Sequence, residues 1–192
     1  MKKDLEEAYL QHEEPWKQSG FSGPEGRWIR SRKPIADCVE ESGSFLDIGC
    51  ANGYLLECIL KWTSVRGLTL VPYGIDLSEK LIELAKIRLP EYVDNFYVDN
   101  AWLWTSPMRF DYVRTEVIYV PEYLQKQYIE RIIDSFLTYR GRLLVTEYRS
   151  RGDPVDKPWI DEALREWGFS ITKQVSGFHD DRELTRVLVI TL

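Results

Sequence analysis

Cysteine and histidine are scarce in this chain, and their scarcity limits the chemistry that it can perform. The three cysteines, Cys38, Cys50 and Cys58, form no C-x-x-C pair, and there are only two histidines. Disulfide frameworks and zinc sites require paired cysteines or clusters of Cys and His. We therefore expect free thiols, no bound metal and a reducing, cytoplasmic location.

Long apolar runs and an excess of positive charge are missing as well. Residues 1–14 are charged and lack the apolar stretch of a signal peptide, and no later run approaches the length of a membrane span. Acidic residues outnumber basic ones by 31 to 25, for a formal net charge of −6. Nucleic-acid binding depends on neutralising phosphates with Lys and Arg, so this balance counts against nucleic acid as a partner. We predict a soluble protein that does not associate with membranes.

Strand-like and helix-like segments alternate along most of the sequence. Apolar runs that begin at Phe45, Tyr73, Asn95, Phe110 and Leu143 predict strands, and apolar residues at helical spacing lie between or after them. Five such units predict a mostly parallel sheet with helices on both faces.

The two ends of the chain depart from this alternation. Residues 169–176 and 183–192 are extended, and the loop between them is too short for a crossover helix, so we expect an antiparallel hairpin. Before the first strand, helices are predicted at about 4–12 and 27–41, the second interrupted or kinked near Pro34. The fold class is therefore α/β, with a Rossmann-like, doubly wound, seven-stranded and mostly parallel sheet that ends in a C-terminal antiparallel hairpin. We expect one domain, 1–192, made of a helical leader or lid (1–43) and a core (44–192).

A glycine-containing turn follows the first predicted strand. Gly49 and Gly53 let the backbone turn tightly and approach a ligand closely. Such turns lie at the carboxyl ends of parallel strands, where open α/β sheets bind ligands. The spacing differs from the G-x-G-x-x-G fingerprint of dinucleotide sites. Asp47, just before the turn, would repel a pyrophosphate and attract an ammonium group, which disfavours a nicotinamide cofactor.

The segment from Phe45 to Tyr54 resembles the first motif of the class I (seven-β-strand) S-adenosylmethionine-dependent methyltransferases, an acidic residue followed by alternating glycines. Asp47 and both glycines match this motif, and Ala51 replaces its middle glycine. The resemblance implies a methyltransferase that uses S-adenosylmethionine and releases S-adenosylhomocysteine, with residues 44–192 as the cofactor-binding core.

Two more acidic residues extend the resemblance. Asp76 ends the second predicted strand, where the family binds the ribose hydroxyls, and Asp99 ends the third, where the family binds the adenine amino group. Trp102 is open between stacking on the adenine and ordinary packing. The cofactor-binding residues implied by the resemblance are Asp47, Gly49, Cys50, Ala51, Gly53, Asp76, Leu77, Asp99, Asn100, Ala101 and Thr115.

The acceptor of the methyl group is expected above the end of the fourth strand. An Asn-Pro-Pro-Tyr type of motif, associated with planar amino groups as acceptors, is absent there. Glu116 and Tyr119 are candidates for a catalytic base or for orienting the acceptor, and a role as solvated loop residues fits them equally. No large module is inserted after the fourth or fifth strand, which favours a small-molecule acceptor.

Basic residues leave other possibilities open. The Arg27 to Lys33 cluster, with Arg149 and Arg151 after the fifth strand, could hold an anionic acceptor, or could lie in water. Arg27 or Arg30 could also meet the carboxylate of the cofactor. One continuous basic face would instead suggest an RNA methyltransferase. A non-catalytic protein that binds a cofactor or partner through the same fold is a third possibility.

Overall fold

The chain folds around one seven-stranded sheet, which a computed structural model describes over residues 2–150 and 152–191, with side chains from residue 6 onward. The strands are β1 Gly43–Ile48, β2 Leu70–Asp76, β3 Phe96–Val98, β4 Phe110–Thr115, β5 Leu137–Tyr148, β6 Ile171–His179 and β7 Arg182–Thr191. Their order across the sheet is β3-β2-β1-β4-β5-β7-β6. β1 to β5 are parallel, and β7 lies antiparallel between β5 and β6. The structure thus confirms the predicted fold class.

Six α-helices are present in the described part of the chain: α1 Lys2–Leu10, α2 Glu25–Asp37, α3 Tyr54–Ser64, α4 Glu79–Arg88, α5 Gln125–Phe136 and α6 Ile160–Glu166. Local sequence explains their bounds. The hydroxyl of Ser78 caps α4 by accepting a hydrogen bond from the backbone N–H of Leu81 at 3.2 Å. α5 buries residues at helical spacing, namely Tyr128, Ile129, Ile132 and Phe136.

The two faces of the sheet carry separate apolar layers. α5 and α6 pack on one face, and α2, α3 and α4 pack on the other. Neighbouring strand residues divide between the layers, as Phe45 and Leu46 do on β1 and Tyr112 and Val113 on β4. Side chains alternate across a strand, so a sheet covered on both faces needs apolar residues at consecutive positions.

Several boundaries differ from the sequence prediction: α1 and β2 begin a few residues earlier than predicted, and the start of β5 differs more. α5 ends at Phe136 and β5 begins at Leu137 with no loop between them, six residues before the predicted start. Residues 137–142 are mostly polar, so no apolar run indicates a strand there. They are held by pairing with β4, where a register shift lies between Phe110 and Tyr112.

The C-terminal hairpin is also tighter than predicted. β6 continues to His179 and β7 begins at Arg182, so only Asp180 and Asp181 form the turn. Both have positive φ, 51° and 59°. Two positive φ values are the signature of a type I′ turn, and Asp tolerates this conformation better than most residues.

α2 continues through Pro34 and ends at Asp37, so the predicted interruption at Pro34 and extension to Glu41 are wrong. Proline cannot donate a hydrogen bond to the carbonyl of Arg30, one turn earlier. β6 packs closely there, because a Cβ at Gly177 would lie 2.8 Å from the Arg30 oxygen and 3.1 Å from Cγ of Pro34. Tertiary packing against this glycine supports the helix across the proline.

Candidate active site

The turn between β1 and α3 lies at the carboxyl edge of the sheet and has an unusual backbone. Gly49, Ala51 and Gly53 all have positive φ, at 77°, 47° and 73°. Ala51 therefore adopts the left-handed conformation that its Cβ disfavours by roughly 1–2 kcal/mol. At Gly53 a Cβ would lie 2.9 Å from Cβ of Ala85, so glycine also allows α3 to approach α4.

Hydrogen bonds tie this turn to the end of β2. The backbone N–H groups of Gly49 and Cys50 donate to the carbonyl of Ile75 at 2.8 and 3.1 Å. The N–H of Ala51 donates to Oδ2 of Asp76 at 3.0 Å. The N–H of Ser78 donates to the other oxygen of the same carboxylate at 2.9 Å. Two backbone donors thus fix the Asp76 carboxylate between the turn and the start of α4.

Exposed apolar and acidic groups continue this edge beyond Asp76. Leu77 and Val98 are 47% and 46% exposed, unusual for apolar residues that end neighbouring strands. Asp99 is exposed, its N–H donates to the carbonyl of Asp76 at 3.1 Å, and its Oδ1 accepts from the N–H of Asn100 at 2.6 Å. The residues predicted at the adenine therefore lie next to the residue predicted at the ribose.

The next two residues of this loop turn toward the core. Ala101 and Trp102 are partly buried against the apolar layer under α5. The ring centroid of Trp102 lies 6.5 Å from that of Tyr128. Asn100 shapes the loop through its side-chain oxygen, which accepts from the N–H of Trp102 at 2.8 Å. Of the two readings left open for Trp102, the structure favours packing.

Asp47 is completely buried, and Arg114 of β4 is its partner. Nη1 of Arg114 donates to Oδ1 of Asp47 at 3.1 Å. Burial raises the pKa of Asp47 to about 6, although the adjacent guanidinium opposes this shift. Oδ2 of Asp47 has no hydrogen-bond partner within the part of the chain that the structure describes. A buried carboxylate oxygen without a partner is costly and marks a site that has unused binding capacity.

Arg114 joins side chains from three strand ends into one cluster. It donates to Glu116, to the hydroxyl of Tyr119 at 3.3 Å and to the hydroxyl of Tyr148 at 3.1 Å. The hydroxyl of Tyr119 in turn donates to Glu116 at 3.0 Å. No sequence motif singles out Arg114. The available signal was one arginine inside the apolar strand Phe110–Thr115.

Tyr119 covers the glycine turn. A Cβ at Gly49 would lie 2.5 Å from Cζ of Tyr119, so the phenol end rests directly on the glycine backbone. The residue as a whole remains 37% exposed, while its hydroxyl is enclosed by Gly49, Arg114 and Glu116. Burial and the neighbouring Glu116 raise the pKa of Tyr119 well above its ordinary value. The phenol therefore keeps its proton at neutral pH.

Two of the predicted cofactor residues do not present their side chains to the edge. Thr115 is fully buried, and its hydroxyl lies 2.7 Å from the hydroxyl of Tyr128 in the core. Arg114 is the neighbour whose side chain faces the site, and the contact of Thr115 with the cofactor stays a prediction. The thiol of Cys50 is buried next to Gly74, and burial raises its pKa.

The leader packs over the same edge. Nδ2 of Asn52 donates to the carbonyl of Pro15 at 3.0 Å and to Oε1 of Gln18 at 2.8 Å. Glu6 of α1 accepts from the hydroxyl of Ser78 at 2.7 Å and forms an ion pair with Lys80 at 2.8 Å. The leader thus contacts both the glycine turn and the start of α4, on either side of Asp76.

Two of the basic residues singled out in the sequence, Arg149 and Lys33, make contacts within the protein. Arg149 is buried, where it donates to the carbonyls of Lys157 and Pro158 at 2.6 and 2.7 Å. Lys33 is paired with Asp37 at 2.7 Å. Arg151 lies outside the described residues. Among the residues that are described, no group of three or more His, Cys, Asp or Glu side chains could hold a metal.

Comparisons with known proteins agree on the fold. The magnesium protoporphyrin IX methyltransferase of Synechocystis PCC 6803, crystallised with S-adenosylmethionine, has a TM-score of 0.61 at 18% identity, over 92% of this chain and 88% of that one. An N-methyltransferase of Bradyrhizobium japonicum WM9, in complex with S-adenosylhomocysteine, has a TM-score of 0.61 at 15% identity, over 98% and 96%. The chain therefore has the fold of the class I S-adenosylmethionine-dependent methyltransferases.

The sequence match to a curated protein is limited to a short segment of the chain. The ubiquinone biosynthesis O-methyltransferase of Thiobacillus denitrificans is 35% identical over 65 residues, which are 34% of this chain and 23% of that protein. No protein-family model matches the chain. In the described ranges, 2–150 and 152–191, no helix is both long and apolar enough to cross a membrane.

Proposed function

We propose that this protein is an S-adenosylmethionine-dependent methyltransferase that acts on a small-molecule acceptor. The observation that carries the proposal is the contact between Ala51 and Asp76, in which the turn after β1 is bonded to an acidic residue at the end of β2. Ligands of open α/β sheets bind at this edge. The fold and the two crystallised methyltransferases named above support the same cofactor.

The residues at this edge fit the cofactor. Asp76 would accept hydrogen bonds from the ribose hydroxyls, and Asp99 from the adenine amino group, because both are carboxylates at the ends of adjacent strands. Leu77 and Val98 would contact the flat adenine ring through their exposed apolar surfaces. The unpartnered Oδ2 of Asp47 fits the ammonium group, provided that Tyr119 moves off the glycine turn.

The bound cofactor supplies an electrophilic methyl group on a sulfonium, so the protein's main task is to align donor and acceptor. Glu116 forms an ion pair with Arg114 and accepts a hydrogen bond from Tyr119, so its carboxylate is already engaged within the protein. Tyr119 keeps its proton, because burial and Glu116 raise its pKa. We therefore assign both residues the role of orienting the acceptor through hydrogen bonds. An acceptor that is nucleophilic without losing a proton suits this pair best.

A small acceptor is favoured over RNA by the disposition of the basic side chains. Arg149 donates hydrogen bonds to backbone carbonyls inside the protein, and Lys33 forms an ion pair with Asp37. The connection between β4 and β5 contains only two short turns of helix and α5, with no added module. A continuous basic surface, which RNA binding would need, is therefore not supported.

Calorimetric titration with S-adenosylhomocysteine tests the cofactor site. We expect micromolar binding to the wild type, loss of at least tenfold in affinity in Asp76→Ala, and no binding of NAD. Asp94→Ala is the matched control, because Asp94 is an exposed acid just before β3, away from the turn. If the folded wild type fails to bind S-adenosylhomocysteine, the proposal is wrong and a non-catalytic role takes its place.

A further inference from the structure

A cavity lies between the leader and the end of β5. Its volume is about 220 Å³, and its walls include Phe21, Ser22, Arg27, Arg32, Tyr148 and Ser150. Ligand pockets for drug-sized molecules measure roughly 300–1,000 Å³, so this one suits a small molecule or one end of a larger molecule. None of the cofactor residues implied by the resemblance lines it, whereas Arg27, which we considered for the cofactor's carboxylate, does.

Two arginines in this cavity carry unneutralised charge. The guanidinium of Arg27 lies over the ring of Phe21 at 4.6 Å, and that of Arg32 over the ring of Tyr148 at 3.7 Å. Arg32 also donates to the hydroxyl of Ser31 at 2.7 Å. Neither guanidinium has a carboxylate as an ion-pair partner among the side chains that the structure describes. The charge of Glu116 acts on Arg32, but Glu116 is already paired with Arg114.

Several other buried or partly buried arginines of this protein are paired with acids, although Arg131 donates to the carbonyl of Trp104 instead. Examples are Arg88 with Glu57, Arg114 with Asp47, Arg142 with Glu40 and Arg186 with Asp161. Burying a charge without a partner is costly, and burial lowers the pKa of Arg32. Two unpaired guanidiniums beside one cavity therefore indicate that an anion from outside the chain belongs there.

We propose that this cavity binds the carboxylate or phosphate group of the methyl acceptor. A planar guanidinium stacked on an aromatic ring is already oriented and binds oxyanions through paired N–H groups. The exposed side chains of Ser22 and Ser150 add hydroxyl donors at the rim. The identification of the anion as the acceptor rests on the proposed methyltransferase function.

Tyr148 connects this cavity with the proposed site of methyl transfer. The guanidinium of Arg32 lies over its ring, and its hydroxyl accepts a hydrogen bond from Nη2 of Arg114 at 3.1 Å. Arg114 in turn contacts Glu116 and Tyr119. An acceptor whose anionic end is held by Arg27 and Arg32 would extend toward the residues that we assign to its orientation.

The competing explanation is that these arginines bind the cofactor's own carboxylate. Titration of the full chain with S-adenosylhomocysteine and with 5′-methylthioadenosine, which lacks the amino-acid part, separates the two. If Arg32→Gln and Arg27→Gln bind both nucleosides as the wild type does, the arginines do not serve the cofactor. A tenfold loss for S-adenosylhomocysteine alone would overturn the proposal.

Binding of benzoate and of inorganic phosphate to the protein saturated with S-adenosylhomocysteine is the direct test. We expect at least one of these anions to bind, benzamide not to bind, and affinity for the anion to fall at least tenfold in Arg27→Gln and Arg32→Gln. Arg140→Gln, which changes an exposed arginine of β5 that does not line the cavity, is the control and should bind as the wild type does. Arg27 is more peripheral than Arg32, so its variant remains informative if Arg32→Gln does not fold.

The outcomes separate the two proposals. Binding of S-adenosylhomocysteine without binding of either anion, or anion binding that survives both substitutions, would overturn the acceptor site and leave the methyltransferase proposal standing. Binding of an anion without S-adenosylhomocysteine would support an anion site and contradict the methyltransferase proposal.

Discussion

Nη1 of Arg114 lies 3.1 Å from Oδ1 of Asp47, and the two side chains are 3% and 1% exposed. Desolvating two charges costs several kcal/mol per ion, so a buried ion pair is weak evidence for stability. This pair lies under the glycine turn and is connected through Arg114 to Glu116 and Tyr119. We infer that it is retained because it organises the edge of the sheet at which the cofactor is proposed to bind.

Removing Arg114 should be more damaging than removing Asp47. Arg114→Met leaves both Asp47 and Glu116 without a cation, and we expect a loss of about 3–5 kcal/mol in the free energy of unfolding. Asp47→Asn should cost less, because Arg114 keeps Glu116 as its partner. Urea unfolding measures both. Lys126→Met, which breaks only the exposed pair with Glu130, should have little effect. Equal losses in the two buried variants would contradict this account.

The raised pKa of Asp47 predicts how stability depends on pH. The carboxyl group titrates near 6 in the fold, against an ordinary value of 3.8. Between these values the folded state holds a proton that the unfolded state has released, so the contribution of Asp47 to stability falls as the pH rises from about 4 to about 6 and is constant above. As the pH rises from about 4 to about 6, the free energy of unfolding of the wild type should therefore fall relative to that of Asp47→Asn.

Most of the sheet was predictable because its signals are local. Apolar runs and glycine turns mark β1 and β4, and the short link between the last two extended segments predicts their antiparallel pairing. The start of β5 was missed because Leu137 and the residues after it owe their strand conformation to pairing with β4. The continuation of α2 through Pro34 likewise depends on Gly177, which is distant in sequence.

The acidic residues of the candidate site could be predicted from the sequence, but the arginine at its centre could not. Asp76 and Asp99 end strands, and their position can be inferred from the sequence pattern. The role of Arg114 depends on its contacts with Asp47 and Tyr148, which belong to other strands. Consecutive strand residues face opposite sides, so the sequence could not decide whether Arg114 or Thr115 faces the ligand edge.

Ala51 should be a site at which glycine improves the protein. Its φ of 47° is strained for alanine, and Ala51→Gly should raise the free energy of unfolding by about 1 kcal/mol, less the entropy that glycine adds to the unfolded chain. Ala36→Gly is the control, because Ala36 lies inside α2 and the same change should destabilise there by about 1 kcal/mol. Thermal unfolding compares the two, and equal destabilisation would contradict the strained turn.

Tyr119 should control access to the glycine turn. Tyr119→Ala removes the phenol that rests on Gly49, so S-adenosylhomocysteine should associate several-fold faster. Tyr119→Phe keeps the ring and should associate at the wild-type rate. Stopped-flow tryptophan fluorescence measures these rates. If the alanine variant associates no faster than the phenylalanine variant, Tyr119 does not limit access to the glycine turn.

Asn52 should have two separable roles, one in the leader and one in α3. Its Nδ2 group donates to Pro15 and Gln18, and its Oδ1 accepts from the N–H of Tyr54 at the start of the helix. Asn52→Asp keeps the acceptor and loses the donor, whereas Asn52→Ala loses both.

Hydrogen exchange detected by mass spectrometry should therefore distinguish the two Asn52 variants. In both, the backbone around Pro15 to Gln18 should exchange faster, because the leader is no longer tied to the turn. Only Asn52→Ala should also expose the first turn of α3, since it loses the hydrogen bond from the N–H of Tyr54 to Oδ1, at a cost of about 1 kcal/mol. Unchanged exchange in the leader of Asn52→Asp would mean that the packing of Glu6 against Ser78 and Lys80 is sufficient to hold it over the site.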